Sequence, residues 1–91
     1  MRPLTDSFYN PRIMELEIYR EDLIDDDIAR EILPTSEDFT IFAAPVKSRL
    51  NSLGEGDIII YGHQRHMIQR VELHHVGTED YKQYYCKTLP D

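Results

Sequence analysis

Ninety-one residues accommodate a single domain, 1–91, with a core of modest size. Seventeen acids against ten bases, a formal charge of −7, exclude nonspecific capture of nucleic acid by a basic surface. The lone Cys86 excludes an intrachain disulfide. No apolar run is long enough to span a bilayer, and Pro3, Thr5 and Asp6 interrupt any signal-peptide region, so a cytosolic start without membrane association is expected. The acidity has three readings: solubility alone, mimicry or repulsion of DNA, or recognition of a basic partner.

Met1 to Arg12 contains Pro3, Ser7, Asn10 and Pro11 around the apolar pair Phe8-Tyr9. It reads as an N-terminal arm with little regular structure, its aromatic pair tucking onto the domain's own sheet or anchoring on a neighbouring subunit. Ile13 to Tyr19 alternates as a strand, with Met14, Leu16 and Ile18 on one side and Glu15 and Glu17 facing water on the other. From Glu21 to Leu33, Ile24, Ile28 and Ile32 recur at every fourth residue, which predicts a short amphipathic helix opened by aspartates and ended by Pro34. A long loop that orders against a partner is the alternative for the same stretch. Phe39 to Val46 reads as a second strand, its end confined to an edge or bulge by Pro45.

The most organised stretch runs from Gly54 to Leu89. A glycine-acid turn, Gly54 to Asp57, precedes Ile58-Ile59-Ile60-Tyr61. A polar turn at Gly62 to His66 precedes an alternating run from Met67 to His74, and a turn at Gly77 to Asp80 precedes Tyr81 to Leu89. This pattern predicts a three-stranded antiparallel meander. Its register places Met67, Gln69, Val71 and Leu73 on one face, with Val71 and Leu73 buried and Arg70 and Glu72 exposed.

Chemistry-bearing residues are few. His63, His66, His74 and His75 are the natural candidates for a metal, but His74 and His75 point to opposite faces of a strand and far from the turn, so no metal or other cofactor is expected. Asp25-Asp26-Asp27 lacks the alternation and the glycine of a calcium loop. Cys86 sits among tyrosines with no flanking base, which predicts a packing role. Tyr81, Tyr84 and Tyr85 are capable of stacking bases, but the negative charge favours core and interface packing. With no nucleophile elbow and no phosphate-cradling loop, an enzyme is not expected.

The meander, with Gly56-Asp57-Ile58-Ile59-Ile60-Tyr61, then Met67 to Val71-Glu72, Gly77 and Tyr81 to Tyr85, resembles the C-terminal half of small head-closure, or stopper, proteins of tailed bacteriophages. The resemblance covers about half of the chain. It implies a mainly β fold, a small SH3-like, partly open antiparallel barrel carrying one short helix or long loop. It further implies a structural, virion-associated role as a ring of copies in the neck, contacting portal or adaptor and tail proteins. An acidic channel wall would repel packaged DNA and let it slide.

The segment Glu21 to Asp38 is the natural counterpart of that family's long loop. Its apolar stripe beside a row of acids makes Ile24, Asp25, Asp26, Asp27, Ile28, Ile32 and Leu33 the candidate interaction residues, together with Phe8 and Tyr9. A different class is an acidic inhibitor that presents carboxylates to a DNA- or RNA-acting enzyme. A small RNA-binding barrel is a third, and the charge opposes it.

Overall fold

The computed structural model describes residues 12–33 and 38–90. The expected arm Met1 to Arg12, with Phe8 and Tyr9 but apart from Arg12 itself, lies outside them. The chain is mainly β, built on one six-stranded sheet that curls without closing, a partly open barrel. In chain order the elements are β1 (Glu15–Glu17), the one-turn helix α1 (Asp22–Asp25), β2 (Ala29–Leu33), β3 (Phe39–Pro45), a 3-10 turn (Arg49–Ser52), β4 (Ile58–Tyr61), β5 (Gln64–Val76) and β6 (Glu79–Thr88). In space the strands run β1-β4-β5-β6-β3-β2. The expected meander is thus the middle of the sheet.

One pairing departs from an all-antiparallel barrel: β1 lies parallel to β4, Glu15 beside Ile58 and Glu17 beside Ile60. A side-chain clamp fixes this pairing. Asp57 accepts hydrogen bonds from the Met14 N–H (3.0 Å) and the Gly54 N–H (2.8 Å), holding the start of β1 against the glycine-acid turn. Of the expected strand Ile13 to Tyr19 only the centre forms. Glu15 and Glu17 are exposed and Ile18 is buried as expected, whereas Met14 stays exposed beyond the last pairing.

The helix expected over Glu21 to Leu33 is confined to a single turn, and this is a correction. A spacing of four residues is also a multiple of the strand period of two. Ile28 and Ile32 therefore share a face equally well in the extended chain. Asp27 adopts φ 56°, the left-handed conformation that ends a helix. The backbone beyond it is claimed by β3, Arg30 opposite Phe42 and Ile32 opposite Thr40. Long-range pairing outweighs a local pattern too short to hold a helix alone.

The core lies on the inner face of the curl, where Ile18, Ile28, Phe42, Ala44, Leu50, Leu53, Ile59, Ile68, Tyr84 and Cys86 pack together. Ile18 and Ile28 approach from opposite edges of the sheet, so the segment between them bridges the gap that the sheet leaves open. Pro45 fits because the Val46 N–H bonds Asp80 (3.0 Å), which turns odd-numbered β3 residues toward β2. The ring nitrogen of Pro45 thus points past the end of β2, where no ladder bond is lost.

A bulge at Gln69 resets β5. Ile68 faces Cys86 but Arg70 faces Tyr85, so one residue is left over. Before it the even positions His66 and Ile68 point inward; after it the odd position Val71 does. The single-phase register read from the sequence holds only beyond the bulge, and Met67 belongs to the outer face. Arg70 is exposed and Glu72 half-buried. Leu73 is 55% exposed, a further correction, because β5 and β6 run past the end of the core at that point. Truncating Val71 to alanine is expected to cost about 1–2 kcal/mol, and truncating Leu73 less than about 0.5 kcal/mol, measured by urea denaturation.

Candidate functional site

The described chemistry-bearing side chains are mostly tied into the fold. Cys86 is fully buried, its S–H directed at the Tyr84 carbonyl (3.4 Å), and burial pushes its thiol up to about 12. Such a group supplies no thiolate near neutrality. The Tyr84 hydroxyl, also pushed up to about 12 by burial, donates to the Leu50 carbonyl (2.9 Å) and pins the 3-10 turn beneath the sheet. On the outer face Tyr85 lies under Arg70 (4.1 Å to the ring centroid), meets Phe39 edge-on, and bonds Glu72 (3.1 Å) and Gln83 (3.0 Å). Glu72 is held below the ordinary carboxylate range, first by its hydrogen bond to His74, then by Tyr85 and Arg70.

The histidines do not converge. His63 occupies a tight two-residue turn with Gly62, both at positive φ (65° and 62°), as the twist of a β-hairpin demands. His74 pairs with Glu72 and His75 with Asp80, both near the far end of the β5–β6 hairpin. His66 is only 1% exposed. Its Nδ1 shares a hydrogen bond with Thr88 Oγ1 (2.9 Å), its ring meets Phe42 edge-on at 5.5 Å, and its Nε2 has no hydrogen-bond partner. Burial, and secondarily the charge of Arg30, depress its proton affinity, with the Tyr61 backbone acting weakly the other way. Among the described residues no three His, Cys, Asp or Glu side chains are grouped so as to hold a metal, and no helix is long and apolar enough to cross a membrane.

Among the described residues three surfaces stand out. The first is the bridge across the barrel gap. Asp22 accepts from the Tyr19 N–H (2.6 Å) and pairs with Arg49, which also reaches Asp26 at 3.7 Å. Of the candidate interaction residues here, Ile24 is 74% exposed with Asp25 and Asp27, but Ile28 is 3% exposed. Ile28 is core and leaves the interaction set. A shallow cleft of about 370 Å³ flanks the bridge, lined by Glu17 to Arg20 and Tyr61 to His63.

The second surface is β2, an edge strand on which Ile32 is 57% exposed and Leu33 half-buried. Arg30 leans inward over the Tyr61 ring, 5.6 Å from its centroid. The third is the projecting end of the β5–β6 hairpin. It is paired down to a two-residue turn at Gly77-Thr78 and exposes Leu73 and Val76 (61%). The sequence reading missed this arm, whose signal was the length of the alternating run on both sides of Gly77.

No protein family, curated protein or solved structure matches the chain. The fold and the surfaces therefore define a class only: a small acidic β domain that, among the described residues, exposes apolar side chains on an edge strand, a bridge and an arm, and also at Ile13, Met14 and Val46.

Proposed function

We propose that this chain is a structural connector of the head-closure kind, non-enzymatic and cofactor-free, acting as a ring of copies in the neck of a tailed-phage virion between portal or adaptor and tail proteins. The observation that carries this reading is the arm. Leu73 and Val76 are displayed on a hairpin stiffened by cross-strand pairing to its tip, beyond the domain's own core. A pre-ordered arm docks without the cost of ordering a loop. Carboxylates such as Asp25 and Asp27, exposed on the bridge, suit a channel that DNA must traverse without sticking.

The arm reading has a direct test. The double substitution Leu73→Asp, Val76→Asp is expected to leave the circular dichroism spectrum and thermal midpoint of the isolated protein unchanged while abolishing its incorporation into particles. Normal incorporation of the double variant would remove the arm from the assembly.

The inhibitor reading has one observation of its own. Among the described residues, Asp25, Asp27, Glu31 and Asp38 make no ion pair. Carboxylates left unpaired in this way are available to a basic enzyme surface.

A further inference from the structure

We infer that β2 is a docking edge for an extended, basic segment of another protein, which adds to the sheet as a seventh strand. The Val46–Asp80 bond fixes even-numbered β3 residues toward β6 and odd-numbered ones toward β2. In the β2–β3 register this spends the backbone groups of Ala29, Glu31 and Leu33 on β3. Arg30 and Ile32 are left with N–H and C=O groups pointing away from the sheet, along a strand whose first four residues are all exposed. An exposed edge of this kind is a template for strand addition.

Charge selects the occupant. On the outer face of β2 stands Glu31, Asp27 lies two residues before the strand and Asp38 immediately precedes its partner β3, with no ion pair to any of the three among the described residues. The one base of the strand, Arg30, is turned inward onto Tyr61. A lysine or arginine on the incoming strand would lie beside Glu31, and an alternate apolar residue beside Ile32.

A second copy fits poorly. Fully overlapped antiparallel pairing of two β2 strands sets Glu31 against Glu31. Pairing β2 with the β1 edge sets Glu31 alongside Glu15 and Glu17, since all three occupy the outer face. The β1 edge is also the poorer dock. It is three residues long, and its carboxylates are engaged, Glu15 by Arg65 (3.0 Å) and Glu17 by the Tyr19 hydroxyl (3.3 Å). This inference goes beyond the neck reading and stands whether or not the chain forms a ring.

The test is amide hydrogen exchange by NMR on the full chain, with a capped peptide alternating valine and lysine as the probe. In the free protein the Arg30 and Ile32 amides should exchange fast and those of Glu31 and Leu33 slowly. Adding the peptide should slow Arg30 and Ile32. Glu31→Lys should weaken the peptide by about tenfold, and a valine–glutamate peptide should not bind. Ile32→Pro, which removes an outward N–H without touching the β3 ladder, should abolish binding; if it unfolds the domain, Glu31→Lys decides alone. Failure of the lysine peptide to slow these amides, equal binding of the glutamate peptide, or undiminished binding to Glu31→Lys would overturn the inference. Protection of Arg30 and Ile32 that grows with protein concentration in the absence of peptide would assign the edge to a second copy instead.

Discussion

Replacing Phe42 with alanine is expected to lower the unfolding free energy by about 3–5 kcal/mol. Phe42 is fully buried on β3, the strand held between β6 and β2, opposite both Tyr84 and Arg30. Its ring meets Tyr61 of β4 edge-on at 6.3 Å and His66 of β5 at 5.5 Å. It thus joins the two halves of the curl across the inner space that an incomplete barrel does not close by hydrogen bonds. Domains of this size are stable by on the order of 5–15 kcal/mol in total, so the variant should be largely unfolded at temperatures the parent tolerates. Urea denaturation at neutral pH measures this directly. A loss below about 1 kcal/mol would mean that the inner face collapses around the gap and is not packed as described.

Acid should loosen the fold through His66. The folded state depresses its proton affinity below the ordinary value of 6.5, so at intermediate pH the unfolded chain binds the additional proton. The stability contributed by the neutral imidazole is complete above about 6.5. It is lost as pH falls from there toward the lower folded-state value, below which the loss levels off. The physical cause lies in the packing. A charged ring would sit among Phe42, Ile59 and Ile68 with Arg30 nearby; only the Tyr61 backbone favours the charge, and no carboxylate is among the groups that act on it. Arg30 over Tyr61 spans from β2 to β4, so repulsion between two cations should release the β2 edge first. The expected result is a urea midpoint that falls as pH is lowered from about 8 to about 5. His66→Leu should show a much flatter dependence. An unchanged slope in His66→Leu would assign the acid sensitivity to other groups.

The legibility of the sequence varied with the range of the interactions involved. The meander was readable because its signals are local: glycine turns at Gly56, Gly62 and Gly77, and alternation between them. Cys86 and Tyr84 were readable as packing residues because nothing beside them could activate them. The bulge at Gln69 was not, since a strand with apolar residues in both phases, Ile68 and Val71, fits two registers until its partner is known. Segment 21–33 misled because isoleucines four apart satisfy either period, and only the β3 ladder decides between them. The parallel seat of β1 depends on Asp57, forty-three residues from Met14 in sequence. Of the candidate interaction residues, Ile24 and Ile32 are exposed as a docking role requires and Ile28 is not. The arm residues Leu73 and Val76 came into view only once the end of the core was fixed.

The connector reading meets its most direct test in the native mass of the assembly, measured on the purified protein and on the protein recovered from particles. A closed ring of copies in the particle, held between portal and tail components, is the expected result. A soluble monomer bound tightly to a nucleic-acid enzyme, and absent from particles, would contradict it.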